Sequence, residues 1–332
     1  MRAIQLTEWT TPDRLAVAEM SMPACGPRDV LIRVAAAPVS YALSLLIQGR
    51  YQRRPDLPFV PGNTVAGEIV ACGAAVARFH PGARVVASLE HGGLAEFAVA
   101  PEACAYAIPD ALPFAAATAF NTAYNSALAA LAWPHLLAVG ADRSLLVLGA
   151  AGGVGTAAVE IARARGAMVI AAASTQAKRA WALRHGAHHA VAADPETLAS
   201  EVRALTGGEG VGAVLDPVGG ALTRAAISCL RPEGRLLPIG FASGDIPQIP
   251  ASLVMVKNIT VCGLYMGYYK IDARDRYEAR VRALFDELGR LYLAGAIKPD
   301  VAASFPLAQT PAAFAAVLDR TRTGHVVVRP QD

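Results

Sequence analysis

One stretch restricts the fold of this chain more than any other. Residues Ser144-Leu-Leu-Val-Leu-Gly149-Ala150-Ala151-Gly152-Gly153-Val154-Gly155-Thr-Ala-Ala-Val-Glu-Ile-Ala162 read as an apolar strand, a glycine turn and an amphipathic helix. A strand with no polar alternation is buried on both faces, as in a parallel sheet flanked by helices. The turn offers a backbone free of obstructing side chains, and the helix start adds unpaired N–H groups and positive potential. A pyrophosphate fits such a turn. The strand–turn–helix context separates it from a plain structural turn in an alanine-rich loop. Gly149, Ala151, Gly152, Gly153, Val154 and Gly155 are therefore candidate cofactor contacts.

The rest of the chain supports two domains. Up to about residue 120 short apolar runs are cut by Pro-Gly turns at Pro61-Gly62 and Pro81-Gly82, a β pattern. Phe114 to Leu131 reads as helical, and strands and helices then alternate to Gly240. Such alternation predicts a doubly wound parallel sheet with right-handed crossovers. A strand at Ile259–Gly263 and a long helix over Ala273–Ala294 follow. The last strand, His325–Arg329, is expected to pair within the N-terminal domain and make it discontinuous.

With 332 residues, 54% of them hydrophobic and 17% charged, the chain lies far from the disordered regime. No apolar run is long enough for a transmembrane helix, and the N-terminus lacks a signal-peptide block. Net charge is +3 with the signs interspersed, so no nucleic-acid footprint is present. The five cysteines are scattered, which argues against a disulfide framework and a structural zinc lobe and fits a cytoplasmic protein.

The strand after the glycine turn ends Ala173-Ser174-Thr175-Gln-Ala-Lys178-Arg179. An NAD site usually places an acid here for the ribose 2′-hydroxyl. None is present. Ser174 and Thr175 can donate to a 2′-phosphate and Lys178 supplies charge, so the expected cofactor is NADPH. Lys178 and Arg179 also suit a solvated helix face; the missing acid decides for the phosphate. Asp216-Pro-Val-Gly-Gly220 and Gly240-Phe241-Ala-Ser-Gly244 close two later strands, where open α/β sheets bind ligands. Gly240 and Phe241 join the candidate cofactor contacts, as does Thr122 in Asn121-Thr-Ala-Tyr124.

These segments, with Gly49-Arg-Tyr51, Leu57-Pro-Phe-Val-Pro-Gly62, Pro81-Gly-Ala-Arg-Val85, Gly93-Leu-Ala-Glu-Phe97 and Gly234-Arg-Leu-Leu-Pro-Ile-Gly-Phe241, run in one order along the whole chain. Together the chain resembles the medium-chain dehydrogenase/reductases, and within them the zinc-independent quinone oxidoreductases and enoyl reductases. The resemblance implies an α/β chain with a GroES-like β-barrel catalytic domain over 1–120 and 258–332. It implies a Rossmann NADPH-binding domain over 121–257, an active site in the cleft between the two, and a homodimer formed through the cofactor domains. Where zinc-dependent relatives carry a cysteine and a Gly-His-Glu, this chain has Ser40 and Gly62-Asn63-Thr64, so no metal is expected. It also departs from many relatives at Ser40, Leu43 and Ala193, where they carry asparagine, aspartate and an aromatic ring.

Without a Lewis acid the fitting substrate is an already electron-poor acceptor, a quinone or a C=C bond conjugated to a carbonyl. Charge then builds on a carbonyl oxygen, which needs a donor. The resemblance points to Tyr51, whose phenol can donate a hydrogen bond or a proton, though a packing role at the cleft mouth is also open. Tyr41, Asn63 and Tyr265 are candidate pocket residues. The alternatives are a 2-enoyl thioester (enoyl-CoA or acyl-carrier-protein) reductase and, from another class, a crystallin-like NADPH-binding protein with little turnover.

Overall fold

The computed structural model describes residues 1–51, 53–141, 143–319 and 323–332. The chain divides into two units. One comprises Met1–Thr122, Tyr268–Gly289 and Pro299–Asp332; the other comprises Ala123–Gly267 and Arg290–Lys298.

The second unit is built on six parallel strands among the described residues. Their order across the sheet is His189–Ala192, Met168–Ala173, Ser144–Leu148, Val211–Asp216, Leu230–Pro238, Thr260–Val261. The first three strands in sequence run outward in one direction. Val211–Asp216 then returns to the other side of Ser144–Leu148. That reversal makes the C-terminal ends of Ser144–Leu148 and Val211–Asp216 the switch point at which such sheets bind ligands. Every residue of Val211–Asp216 is buried, and Leu146, Leu148, Ile170, Val214 and Leu236 sit in one apolar cluster. Each such side chain contributes about 1.5–3 kcal/mol by leaving water.

The first unit is built on a mostly antiparallel sheet. Its organising strand is Asp29–Val39. Residues 29–33 pair antiparallel with Phe97–Pro101, residues 37–39 with His325–Arg329, and Thr64–Cys72 lies along residues 30–36. Arg84–Ser88, Ala105–Ala107 and Val301–Pro306 extend the sheet. Alternate residues Val30, Ile32 and Val34 are buried, and Val65, Ile69, Val85 and Phe314 complete the core.

The chain's last strand pairs with Asp29–Val39 as expected from the sequence. Three features differ from the sequence reading. Thr260–Val261 pairs parallel with Leu230–Pro238, so residues 258–267 lie with the parallel sheet and not beyond the expected boundary at 257/258. Strand Val301–Pro306 and helix Thr310–Leu318 fill a stretch left unassigned. The helical run from Phe114 opens into a π-helical turn at Phe120–Tyr124 before closing again over Asn125–Ala132. The turn widens where Asn121 and Thr122 send their side chains to Thr64, Ser88 and His325. Among the described residues no helix is long and apolar enough to cross a membrane.

Candidate functional site

The glycine turn behaves as its sequence demands. Gly149 adopts φ +58°, a conformation most side chains avoid. A Cβ on Gly155 would fall 2.8 Å from Ala150 Cα, closer than real Cβ atoms come. Gly152 precedes helix Gly153–Ala164 and offers no side chain to cap it, so the first N–H groups of a twelve-residue helix face outward without an intrahelical partner. These features leave a side-chain-free cradle with positive potential, which fits a dinucleotide pyrophosphate.

Buried polar groups hold that cradle in place. The Thr156 hydroxyl donates to Ala150 O at 3.2 Å and accepts from Trp181 Nε1 at 3.1 Å, which pins the helix to the turn. Glu160 is 4% exposed. Its Oε2 accepts from Tyr124 Oη at 2.7 Å and Lys298 N at 2.9 Å, and its Oε1 pairs with His185 Nδ1 at 2.6 Å.

At the end of Met168–Ala173, Ser174 and Thr175 are exposed. Thr175 caps helix Gln176–Arg184, its hydroxyl accepting from Lys178 N at 3.3 Å. Its proton remains available for a phosphate. Arg179 folds back to donate to Ala173 O at 3.2 Å and sits at the strand end with Lys178 beside it in the chain. Just after the neighbouring strand His189–Ala192, Asp194 turns its carboxylate to its own loop, accepting from Glu196 N at 3.0 Å.

The other side of the switch point is built by Asp216, which is fully buried. Its Oδ1 accepts from Val218 N at 2.8 Å and Gly219 N at 2.9 Å, and Oδ2 accepts from the Thr223 hydroxyl. Both of its carboxylate oxygens thus hold the turn and the start of the following helix in shape. Ala242 N and Ser243 N reach back to Pro217 O and Val218 O, which packs Gly240 and a half-exposed Phe241 beside that turn. Tyr265, 55% exposed, lies against Gly267.

The remaining candidates lie in the first unit. Ser40 is the N-cap of helix Tyr41–Ile47, its hydroxyl accepting from Leu43 N at 3.1 Å. Tyr41 begins that helix with its ring exposed. Tyr51 is half-buried in the loop that follows. Asn63 is exposed, and its Oδ1 accepts from the Thr64 hydroxyl at 3.4 Å. Thr122 is already engaged: its hydroxyl donates to Thr118 O at 3.1 Å and lies 2.7 Å from His325 Nε2. Burial pushes the pKa of that imidazole down to about 4, so the ring is neutral, and as the tautomer protonated at Nε2 it donates to the Thr122 oxygen. Among the described residues no three of His, Cys, Asp or Glu come together as a metal cluster.

Comparison with known proteins now bears on these two units. Residues 26–110 match the alcohol dehydrogenase GroES-like domain family and residues 153–287 match the zinc-binding dehydrogenase family. The quinone oxidoreductase-like protein 2 homolog of Nematostella vectensis is 34% identical over 307 residues, 91% of this chain and 82% of that protein. The chain belongs to the medium-chain dehydrogenase/reductase superfamily, in its quinone oxidoreductase-like group. A probable oxidoreductase from Mycobacterium abscessus superposes with a TM-score of 0.88 at 31% identity, covering 99% of both chains. A mycobacterial protein solved in complex with NADPH superposes at 0.89 and 29% identity, covering 99% of this chain and all of that one.

Within this medium-chain reductase the sequence reading passed over Thr156, Glu160, Asn121 and Asp216 as working groups. Glu160 carried a signal: a carboxylate inside Ala157-Ala158-Val159-Glu160-Ile161-Ala162, on a helix apolar on almost every side, has to be buried and bonded.

Proposed function

We propose that this chain is an NADPH-dependent, zinc-independent reductase that delivers hydride to a quinone or an α,β-unsaturated carbonyl. The glycine cradle carries the reading. It is a backbone surface that only a phosphate-bearing ligand needs, at the switch point of a parallel sheet, in a chain related to quinone oxidoreductases.

The amides at the start of Gly153–Ala164 hold the pyrophosphate, and Ser174, Thr175, Lys178 and Arg179 hold the 2′-phosphate. Gly240 and Phe241 border the nicotinamide end, with Thr122 as a further contact. Bound there, the cofactor supplies a hydride, which is two electrons and a proton. The protein orients the acceptor, excludes water and answers the charge that builds on the acceptor oxygen. Tyr51 is the proposed donor to that oxygen, and Tyr41, Asn63 and Tyr265 are proposed as acceptor-side residues. The residues at the positions that zinc relatives use for ligation serve other ends here: Ser40 caps a helix, and Thr64 bonds Asn63 and Asn121.

We propose a homodimer through the parallel sheet. Its support is the strand Thr260–Val261, which among the described residues has a neighbour on one side only, and the apolar surface that Val261, Met255 and Val256 expose nearby. Five free thiols fit the cytoplasm.

The test is NADPH oxidation against 1,4-quinones, small enones and crotonyl thioesters, with Tyr51→Phe alongside. Turnover with quinones or enones, and a kcat lowered about tenfold or more by Tyr51→Phe, is the expected result. Turnover with thioesters alone would make it an enoyl thioester reductase. Tight binding of NADPH with no acceptor consumed would leave a binding protein.

A further inference from the structure

Two helices of the second unit each carry one end of the proposed phosphate site. The start of Gly153–Ala164 forms the pyrophosphate cradle, and the start of Gln176–Arg184 carries Thr175, Lys178 and Arg179. Both helices lie within Ala123–Gly267. A pair of polar bridges holds them side by side.

On the first helix Thr156 and Glu160 are four residues apart, so their side chains share a face. Trp181 on the second helix and His185 at its C-cap have the same spacing. The two faces meet rung by rung. Trp181 Nε1 donates to Thr156 Oγ1 at 3.1 Å, and His185 Nδ1 lies 2.6 Å from Glu160 Oε1. The Trp181 and His185 rings stack with their centroids 4.4 Å apart. Beyond them Gly186 packs on Arg163, where a Cβ would fall 3.2 Å from Arg163 Cγ.

The first rung reaches the cradle itself. The Thr156 hydroxyl accepts from Trp181 and gives its own proton to Ala150 O at 3.2 Å. The second rung ends on a fixed post, because Glu160 Oε2 is held from behind by the Tyr124 hydroxyl and Lys298 N. At the start of the second helix the Thr175 cap and the bond from Arg179 to Ala173 O tie the same helix to the strand end. Packing alone would be served by an aliphatic pair at 156 and 181. A directional donor and acceptor fix a distance as well.

NADPH presents two anionic ends, the pyrophosphate and the 2′-phosphate, at a spacing its own ribose sets. Two grips already held at that spacing bind it without a cost of ordering, whereas NADH needs the first grip alone. We propose that Trp181 is a positioning residue for cofactor choice, its hydrogen bond to Thr156 setting the spacing between the pyrophosphate cradle and the 2′-phosphate corner. This rests on the NADPH reading above. Trp181 acts through Thr156 and through its own helix, not by contact with the cofactor.

The experiment measures Kd for NADPH and NADH by cofactor fluorescence on the full-length protein and three variants. Trp181→Phe keeps a ring against His185 and loses the N–H. It should raise the NADPH Kd about tenfold and leave that of NADH within about twofold. Thr156→Val removes the acceptor and should lower the preference for NADPH by a similar factor. Adding Trp181→Phe to it should lower the preference little further, since both changes remove one bond. Thr156→Ser restores the hydroxyl and should restore the wild-type preference. A preference within about twofold of wild type in Trp181→Phe, or a proportionate weakening of both cofactors, overturns the proposal. If Trp181→Phe folds poorly, equal preferences in Thr156→Val and Thr156→Ser overturn it. A wild type that binds NADH as tightly as NADPH would sink the NADPH reading itself, and the proposal with it.

Discussion

Adding one methyl group at Gly155 tests the cradle. A Cβ there would lie 2.8 Å from Ala150 Cα and 2.9 Å from Gly149 C, where ordinary contact begins near 3.4 Å. Both obstacles are backbone, so no side chain can swing aside. The helix start must retreat by roughly half an ångström or more, which is an overpacking cost of about 1–3 kcal/mol. The same retreat carries the helix amides away from the pyrophosphate. Losing one good charge-assisted contact costs about 1.4 kcal/mol or more, a tenfold or greater rise in the NADPH Kd. Titration by cofactor fluorescence, beside urea unfolding of the apo protein, reads both effects. Gly152→Ala, whose Cβ would meet Gly149 O at 3.3 Å, should sit between wild type and Gly155→Ala. Gly263→Ala, with nothing within 4 Å, should match wild type. An unchanged Kd in Gly155→Ala with the fold intact would refute the assignment of this turn to the phosphate.

Three further outcomes follow. Ser174→Asp places a carboxylate where the 2′-phosphate is proposed to bind, and the preference for NADPH over NADH should fall by at least about tenfold, measured as the ratio of Kd values; an unchanged ratio would remove Ser174 from that corner. Glu160→Ala leaves the Tyr124 hydroxyl, Lys298 N–H and His185 ring without their shared acceptor, and should cost about 2–4 kcal/mol by urea unfolding, where a change under 0.5 kcal/mol would show the network to be incidental. His325 is held neutral, with its pKa lowered from 6.5 to about 4, so the unfolded chain binds the extra proton. Its contribution, up to about 3 kcal/mol, is complete above pH 6.5 and is lost as pH falls toward 4; His325→Gln should flatten that part of the stability profile, and a profile as steep as wild type's would contradict it.

What the sequence disclosed follows the range of each interaction. The cradle is local: a strand, a glycine turn and a helix follow one another between Ser144 and Ala164, and Gly152 and Gly155 are crowded by their own turn. The parallel sheet was legible because burial on both faces removes polar alternation from Val211–Asp216 and its neighbours. Thr175 looked like a phosphate donor from its residue type, and the structure adds the helix-capping bond that places it. Lys270 was not legible. Nothing in Tyr268-Tyr-Lys-Ile-Asp272 marks a lysine whose Nζ donates to Asn121 Oδ1 at 3.0 Å; that partner lies 149 positions earlier, and only the fold brings them together. The π turn at Phe120–Tyr124 was hidden for a related reason. Its residues suit an α-helix, and the pull on Asn121 and Thr122 comes from strands far away in sequence. Val301–Pro306 escaped because all of its residues are exposed or only partly buried and its apolar signal is weak.

The account turns on one reaction: hydride passing from NADPH, chosen over NADH, to an activated acceptor. The most direct measurement is kcat/KM for 1,4-benzoquinone reduction with each nicotinamide cofactor at equal concentration. NADPH should support turnover at least about tenfold better than NADH, with one acceptor reduced per NADPH consumed. Equal rates with the two cofactors, or NADPH bound and never oxidised, would contradict it.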